Sequence, residues 1–358
     1  MPLDGFAVKS RIKDYKVNFL DQPLLPDSIL DLPNSIFAVD ENVWRFHKDG
    51  FLRPLKNREV RLVEISEEKK SLAGVESLYD SIIELAPKKN TLLVAIGGGI
   101  LQDIAGFTAS TIYRGINWVY LPTTMLAQCD SCIGAKTSLN YKGFKNLIGT
   151  FYPPQAIYIH PGFLKTLDEI DYLSGVGELV KLHLIGGEEL TAELHKKLPK
   201  LLKRDEKTIL ELVNASLLIK KGFIEEDEFD SGRRNLLNFG HCFGHALESA
   251  SNYALPHGIA VTVGILLANR VAVARGLMTP EKERWLNENL LLPIIKLDPA
   301  SFKLKTELII DAMRKDKKRT GEGLALVLMG QKQEMSRVND LSEAEAAAAL
   351  KGIELLKV

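Results

Sequence analysis

The 358-residue sequence predicts an α/β N-terminal domain with a parallel, Rossmann-like sheet, followed by a mainly α-helical C-terminal domain. Up to about residue 160, short apolar runs alternate with amphipathic segments, and after Pro161 long segments with helical periodicity dominate. The length by itself also suggests two domains. We therefore expect one domain at residues 1–168 and a second at residues 169–358.

Five apolar runs in the first half predict buried strands, because each is short and bounded by polar residues, glycine or proline. They are Ile36–Val39, Leu62–Ile65, Leu92–Ile96, Trp118–Leu121 and Ala156–Ile159. Between the second and third runs, apolar residues from Leu72 to Ile83 recur at helical spacing and predict a helix with one buried face. Strand, helix and strand in this order predict a parallel sheet with crossovers.

The second half contains five segments with helical periodicity. They are Glu188–Lys203, Glu206–Phe223, Asn238–Ser251, Gly258–Arg275 and Pro280–Asn289. A further apolar run, Leu324–Met329, predicts a late strand. Ser342 and Glu345 have the spacing of a capping box, which predicts a last helix that continues through an alanine run to Gly352.

Composition and charge limit the function classes. Lysine plus arginine and aspartate plus glutamate both number 46, so a net charge of zero favours neither nucleic acid nor an anionic membrane as partner. No apolar run approaches the roughly 20 residues that span a bilayer, and charges interrupt the region where a signal peptide would be apolar. The three cysteines do not form a disulfide framework. We expect a cytoplasmic protein.

Gly97-Gly98-Gly99 directly follows the strand Leu92–Ile96 and precedes a helix that contains Asp103. Glycines at the carboxyl end of a parallel strand let the backbone approach a pyrophosphate, and the helix N-terminus offers free N–H groups to the same anion. An ordinary tight turn explains the triplet equally well, since the sequence is not GxGxxG. Cys129 and Cys132 form a CxxC that is weak evidence for redox or metal chemistry, and we expect Asp130 between them to be the functional residue.

Three histidines and one carboxylate suggest a metal site. His241 and His245 share a helical face, His257 lies at the start of another predicted helix, and Glu178 stands among apolar residues. Two imidazoles, a carboxylate and an open position form a catalytic zinc arrangement. Each histidine taken alone is more simply a structural residue, and four of the chain's seven histidines lie outside this group.

Basic residues recur beside glycine or small polar residues, at Arg114, Lys136, Lys145, Lys181, Lys220, Arg233, Arg234, Lys315, Lys317 and Lys318. Such surroundings favour a pocket, and cations in a pocket suit a substrate with a phosphate and a carboxylate. For the run from Arg314 to Arg319 alone, a solvated surface is the simpler interpretation.

The motifs together resemble 3-dehydroquinate synthases, within the sugar-phosphate cyclases. Residues 97–154 contain GGGILQDIAGF, TIYRG, LPTTMLAQCDSCIGAKT and FKNLIGTFYPP, and GVGELVK, RRNLLNFGHCFGHALE, HGIAV and DKK follow in order. The resemblance implies a dehydroquinate synthase-like fold, NAD and Zn²⁺ or Co²⁺ as cofactors, and a homodimer. It also implies conversion of 3-deoxy-arabino-heptulosonate 7-phosphate to 3-dehydroquinate and phosphate in the shikimate pathway of aromatic amino acid biosynthesis.

The resemblance also implies roles for individual residues. The metal ligands would be Glu178, His241 and His257, whereas spacing alone pairs His241 with His245. NAD would be bound by Asp40, Glu67, Lys70, Gly98, Gly99, Asp103, Thr123, Thr124, Lys136, Lys145, Phe163 and Thr166. Substrate would meet Arg114, Asp130, Lys136, Lys145, Asn146, Lys181, Lys220, Arg234, Asn238, His245 and Lys317 or Lys318.

Three positions depart from the family pattern: Ala135 and Phe144 stand where glycine is usual, and Ile259 stands where glutamate is usual. None removes a charged site residue. The departures leave open a related cyclase that acts on sedoheptulose 7-phosphate, glucose 6-phosphate or an amino analogue. A glycerol-type NAD-dependent polyol dehydrogenase and a non-catalytic ligand-binding relative are the further alternatives.

Overall fold

The computed structural model describes residues 3–296, 305–314 and 324–351. The chain forms two compact units. The first unit comprises Met1–Leu167, Ile209–Val213 and Ile224–Phe229, and the second comprises Asp168–Thr208, Asn214–Phe223 and Asp230–Val358. The predicted fold class, a parallel α/β half followed by a helical half, is confirmed.

The first unit is built around one sheet. Its strands are β1 Phe6–Val8, β2 Tyr15–Phe19, β3 Ser35–Asp40, β4 Val60–Val63, β5 Leu92–Gly97, β6 Asn117–Pro122, β7 Lys136–Tyr141, β8 Phe144–Phe151 and β9 Ala156–Ile159. Its helices are α1 Asp27–Leu30, α2 Glu41–His47, α3 Leu72–Ile83 and α4 Gly99–Thr111. The sheet order is β1-β2-β9-β6-β5-β3-β4, with β1 and β2 antiparallel and the other pairs parallel, while β7 and β8 form a separate hairpin.

The predicted strands of the first half are present, and the helix Leu72–Ile83 was predicted with its observed bounds. The strand expected at Leu62–Ile65 begins and ends two residues earlier, as β4, because Val60 pairs with Phe37 and the ladder stops at Val63. The sequence pattern missed β1, β2 and the β7–β8 hairpin. Lys142 and Gly143 at the hairpin turn have φ of 47° and 79°, as in a two-residue hairpin connection.

The second unit is mainly helical. Its helices are α5 Glu169–Ile185, α6 Glu188–Leu202, α8 His241–Ala250, α9 His257–Ala274, α10 Pro280–Leu286, α11 Thr306–Arg314 and α12 Glu343–Leu350, and α7 Glu206–Glu226 contributes residues to both units. β10 Leu324–Met329 and β11 Met335–Leu341 form an antiparallel hairpin. The late strand and the capping box at Ser342 and Glu345 are confirmed, while Gly352 lies outside the described residues.

Three helix bounds in the second half were wrong by three residues. The helix expected to end at Phe223 continues to Glu226, as α7. The helix expected from Asn238 starts at His241, because Arg233–Asn238 is a short 3₁₀ segment and Gly240, with a left-handed φ of 78°, is the N-cap of α8. The helix expected to reach Asn289 ends at Leu286, where the chain continues as a π-helical turn, Asn287–Leu291.

Among the described residues, α9 is long and apolar enough to cross a membrane by length and composition, and 78% of that window is buried inside the protein. Burial of this extent identifies α9 as the core helix of the second unit. Its residues from Gly258 to Asn269 are all buried, and the side chains of α5 and α8 pack against it.

Candidate functional site

The sheet of the first unit has a topological switch point between β3 and β5. The chain leaves β3 for β4 on one side and then returns to β5 on the other side of β3. At such a point the connections diverge and leave a crevice at the carboxyl ends of the strands, where open α/β sheets bind ligands. Asp40 ends β3 and Gly97 ends β5, so both lie at this crevice.

The glycine triplet and Asp40 are in direct proximity. A Cβ built on Gly97 would lie 3.3 Å from Cβ of Asp40, and one built on Gly98 would lie 2.9 Å from Cγ2 of Thr124. Gly98 is the N-cap of α4, and Gly97 accepts a hydrogen bond from the backbone N–H of Thr123 at 3.0 Å. Side chains larger than glycine would therefore fill the space in front of the α4 N-terminus.

Buried carboxylates flank this crevice. Asp40 caps α2 by accepting a hydrogen bond from the N–H of Asn42 at 2.8 Å, and burial raises the pKa of Asp40 above its ordinary value. Burial likewise raises the pKa of Asp103, although its neighbours Lys70 and Ser138 act in the opposite direction. The Nζ of Lys70 lies 2.6 Å from Oδ2 of Asp103.

A polar network joins these residues to the β7–β8 hairpin. Lys70 donates to Oδ1 of Asn146 at 2.7 Å, and the N–H of Ser138 donates to Asp103 at 2.8 Å. Asn140 donates to Oε1 of Glu67 at 2.8 Å and accepts from the N–H of Asn146 at 3.0 Å. The structure thus brings together four residues predicted to bind cofactor or substrate, and adds Asn140 and Ser138, which the sequence did not single out.

Other residues of the first unit that were predicted to bind NAD or substrate lie on β7, on β8 and in short 3₁₀ and π-helical segments. Lys145 contacts Glu67, with 3.6 Å between Nζ and Oε1. Phe163 is buried, and Thr166 lies 2.9 Å from Nε2 of His47 through its hydroxyl. Arg114 is exposed with a left-handed φ of 63°, Asp130 lies in a π-helical turn, and Lys136 begins β7. Lys317 and Lys318 lie outside the described residues.

Close helix packing forms the histidine site of the second unit. A Cβ on Gly258 of α9 would lie 1.7 Å from the carbonyl oxygen of Ser174 on α5, and a Cβ on Gly177 would lie 2.3 Å from that of Gly258. The α5 and α9 backbones can approach this closely only because both positions are glycine. The next residue after Gly177 is Glu178, which is thereby held against His257, the first residue of α9.

Glu178, His241 and His257 converge on one point. Oε1 of Glu178 lies 3.3 Å from Nε2 of His257 and 3.6 Å from Nε2 of His241. The three ligand atoms all lie within 4.8 Å of one another. Two imidazole nitrogens and one carboxylate oxygen are the donors that a catalytic zinc site uses. The donor set therefore fits Zn²⁺ or a similar divalent cation.

The Nδ1 atoms of His241 and His257, which face away from the shared point, each have a hydrogen-bonding partner. Nδ1 of His241 lies 3.2 Å from the carbonyl oxygen of Phe239, and Nδ1 of His257 lies 3.0 Å from Oε2 of Glu248. Burial lowers the pKa of His257, but its contacts with Glu178 and Glu248 outweigh burial and raise this pKa to about 10. In the metal-free protein His257 is therefore protonated and positively charged, and a bound metal would displace its proton.

Buried cations lie on three elements of the second unit that pack against one another. Lys181 on α5, Lys220 on α7 and Arg234 in the 3₁₀ segment are 3%, 8% and 5% exposed. Leu182, Phe223 and Leu237 pack into one cluster and hold these three elements together. Cations this deeply buried are rare unless anions compensate them, and Lys181 contacts Oε2 of Glu178 at 2.5 Å.

A cavity of about 390 Å³, including the open solvent at its mouth, lies beside α8. Its lining includes Asn238, His241 and His245, together with Arg337 on β11. Nδ2 of Asn238 donates to the carbonyl of Asn235 at 3.0 Å. The rings of His245 and His257 are 5.8 Å apart and nearly parallel. Two predicted substrate residues and one predicted metal ligand therefore share one cavity.

Comparison with known families decides the classification. Residues 60–174 match the 3-dehydroquinate synthase N-terminal model, and residues 175–319 match the 3-dehydroquinate synthase C-terminal model. The chain belongs to the 3-dehydroquinate synthase family. A family member from Clostridium tetani is 39% identical over 65% of this chain and 63% of its own length. One from Prochlorococcus marinus is 30% identical over 96% of both chains.

Solved structures agree with this family. The chain is similar to 2-epi-5-epi-valiolone synthase from Streptomyces hygroscopicus, solved with NAD⁺ and Zn²⁺ bound, at a TM-score of 0.81 and 26% identity over 94% of this chain and 95% of that one. It also shares the fold of a 2-deoxy-scyllo-inosose synthase solved with carbaglucose-6-phosphate, NAD⁺ and Co²⁺, at a TM-score of 0.83 and 23% identity over 96% and 98% of the two chains.

Proposed function

We propose that this protein is a 3-dehydroquinate synthase, which converts 3-deoxy-arabino-heptulosonate 7-phosphate to 3-dehydroquinate and phosphate. The convergence of Glu178, His241 and His257 beside the buried Lys181 is the observation that carries the proposal. Membership of the family supports it, and so does the bound NAD⁺ and Zn²⁺ in the related valiolone synthase.

Glu178, His241 and His257 would hold Zn²⁺ or Co²⁺, and residues at the switch point would hold NAD. When bound, the metal polarises a substrate oxygen, and NAD accepts and later returns a hydride. At the switch point, Asp40 offers a buried carboxylate oxygen to ribose hydroxyls, and Gly98 and Gly99 leave the α4 N–H groups accessible to the pyrophosphate. The remaining proposed NAD contacts are Glu67, Lys70, Asp103, Thr123, Thr124, Lys136, Lys145, Phe163 and Thr166.

The basic residues of the second unit would bind the substrate's anionic groups. Lys181, Lys220 and Arg234 are already desolvated, so their attraction for a phosphate or carboxylate is weakly screened. Asn238 and His245 line the adjacent cavity and would add hydrogen bonds. We include Arg114, Asp130, Lys136, Asn146 and Lys317 in the substrate set. These residues would accelerate the reaction by holding the substrate in one orientation through its several steps.

The test is phosphate release from 3-deoxy-arabino-heptulosonate 7-phosphate with substoichiometric NAD and with Zn²⁺, in the presence and absence of EDTA. We expect EDTA-sensitive release without net absorbance of NADH at 340 nm. His241→Ala should abolish release. His195→Ala is the matched control, since His195 contacts Trp285 on α10 and lies outside the donor set. Net NADH formation from a polyol would instead identify a dehydrogenase.

A related sugar-phosphate cyclase is the second candidate. Ala135 has a left-handed φ of 61°, and Phe144 is 54% exposed where the family pattern has glycine. These changes flank Lys136 and Lys145, which are proposed to meet substrate or cofactor. Phosphate release from sedoheptulose 7-phosphate, glucose 6-phosphate or an amino analogue, but not from the heptulosonate, would favour this candidate.

We further propose a homodimer in the cytoplasm that takes part in the shikimate pathway, and no nucleic-acid or membrane partner. The family supports the dimer and the pathway, and the net charge of zero gives no attraction for polyanions. Light scattering after size-exclusion chromatography should give twice the chain mass of 39.8 kDa. A mass of one chain would contradict the dimer.

A further inference from the structure

Glu248 is a largely buried carboxylate that neither the family resemblance nor the sequence patterns assigned to the site. Its side chain is 12% exposed, and Oε2 lies 3.0 Å from Nδ1 of His257. On α8 it follows His241 by two turns and His245 by one turn, so the three side chains share a face. The same α8 face therefore carries one proposed metal ligand and a partner for another.

His257 has a different partner at each ring nitrogen. Nδ1 faces Glu248, and Nε2 faces Oε1 of Glu178 at 3.3 Å. A carboxylate can only accept, so its contact with Nδ1 requires a proton on that nitrogen. In the neutral ring this leaves the lone pair on Nε2, which points at Glu178 and His241.

We propose that Glu248 is a positioning residue that holds His257 as the Nδ1–H tautomer and thereby presents Nε2 to the metal. This rests on the metal site of the proposed function. A carboxylate behind a metal-binding imidazole fixes the orientation of the ring and makes it a stronger donor. The carbonyl of Phe239 gives His241 the corresponding hydrogen bond without the negative charge.

The structure also suggests a competing role for Glu248. Ligand atoms of His245, Glu248 and His257 all lie within 4.8 Å of one another, which is the spacing of a second cation site. A cation on Nδ1 of His257 would require that nitrogen to lose the proton that it shares with Glu248. If Glu248 positions His257, each chain should bind one metal ion. If Glu248 is a ligand of a second cation site, each chain should bind two.

The experiment measures zinc affinity and stoichiometry of the full chain by competition with a chromophoric chelator. Glu248→Ala should weaken zinc binding about 10- to 100-fold. Glu248→Gln should lose much less zinc affinity, because its amide oxygen still accepts a hydrogen bond from Nδ1–H of His257. The matched control is Glu345→Gln, because Glu345 pairs with Arg275 at 2.7 Å in the same unit but lies outside the donor set. Its zinc affinity should equal that of the unmodified protein.

Long-range ¹H–¹⁵N spectra of the zinc-loaded protein give a second readout that does not depend on activity. We expect His257 to show a protonated Nδ1 in the unmodified protein and in Glu248→Gln. Unchanged zinc affinity of Glu248→Ala would overturn the proposal, and so would two bound zinc ions of which this variant loses one. If the unmodified protein binds no zinc, the metal site itself is wrong, and the role of Glu248 falls with it.

Discussion

Lys181 and Glu178 form an ion pair inside α5, with 2.5 Å between Nζ and Oε2 and with side chains that are 3% and 1% exposed. The pair lies three residues apart on one helical face, so the helix itself sets its geometry. In water such a pair would contribute little, but here each partner compensates a charge that burial has removed from solvent. The same carboxylate supplies the proposed metal ligand Oε1.

Lys181→Met should destabilise the metal-free protein by about 3 kcal/mol, because it leaves the Glu178 carboxylate without its nearest cation. Saturating Zn²⁺ should recover part of this loss, since the metal supplies positive charge to the same carboxylate. Urea unfolding with and without Zn²⁺ measures both effects. Lys197→Met is the control: its partner Glu193 is 49% exposed, and such pairs contribute less than about 1 kcal/mol. Equal losses in the free energy of unfolding of the two variants would contradict the prediction.

Gly258→Ala should both destabilise the protein and weaken zinc binding. The added Cβ would meet the carbonyl oxygen of Ser174 at 1.7 Å, so α5 and α9 must separate and take Glu178 away from His257. Overpacking of this kind costs about 1–3 kcal/mol or more. In Gly222→Ala on α7 the new Cβ meets nothing within 4 Å, and a helical interior gains up to about 1 kcal/mol from this change. Thermal unfolding and chelator competition test both variants, and normal zinc affinity of Gly258→Ala would refute the argument.

Ala135→Gly should stabilise the first unit. Ala135 has φ of 61°, a conformation that costs a residue with Cβ about 1–2 kcal/mol. Glycine removes that strain but gains freedom in the unfolded chain, which leaves a net stabilisation of about 1 kcal/mol or less. Ala109→Gly, inside α4, should destabilise by about 1 kcal/mol. Denaturant midpoints compare the two, and a loss of stability in Ala135→Gly would show that the φ is not strained.

His183 should make the protein less stable below neutral pH. Burial is the largest influence on this imidazole and lowers its pKa from 6.5 to about 4. The unfolded chain therefore binds a proton between pH 6.5 and 4 that the folded chain does not. The stabilisation is fully present above that range and falls as the pH drops through it, by about 3 kcal/mol in all.

Urea unfolding at a series of pH values checks this dependence. In His183→Gln the neutral side chain cannot titrate, so the difference between the two proteins should shrink as the pH falls from 6.5 to 4. Carboxylates that titrate in the same range affect both proteins alike and cancel in that difference. A pH-independent difference would show that His183 is not the responsible group.

Local patterns were sufficient for much of this protein. The strands β3, β5 and β6 are apolar runs that are buried on both faces, β9 is an apolar run with one face buried, and α3 has a clear amphipathic period. The glycine triplet and the capping box are also local signals. Resemblance to the family then selected His257 over His245 as a ligand, a choice that helical spacing alone would have made differently.

The sequence pattern did not predict the long helix α5. Its residues from Tyr172 to Leu184 are all buried, so the periodic alternation of apolar and polar residues that indicates a helix is missing. The β7–β8 hairpin escaped because half-exposed polar strands lack an apolar pattern.

The sequence by itself determined the strand–helix order, the glycine turn and the types of ligand that the chain can offer, because these depend on neighbouring residues. Only the tertiary structure decided which of those ligands meet. Backbone contact at Gly177 and Gly258 places Glu178 against His257, and α8 packing brings Glu248 behind the same ring. Such contacts join residues far apart in the chain, and their geometry depends on how closely two helices can approach.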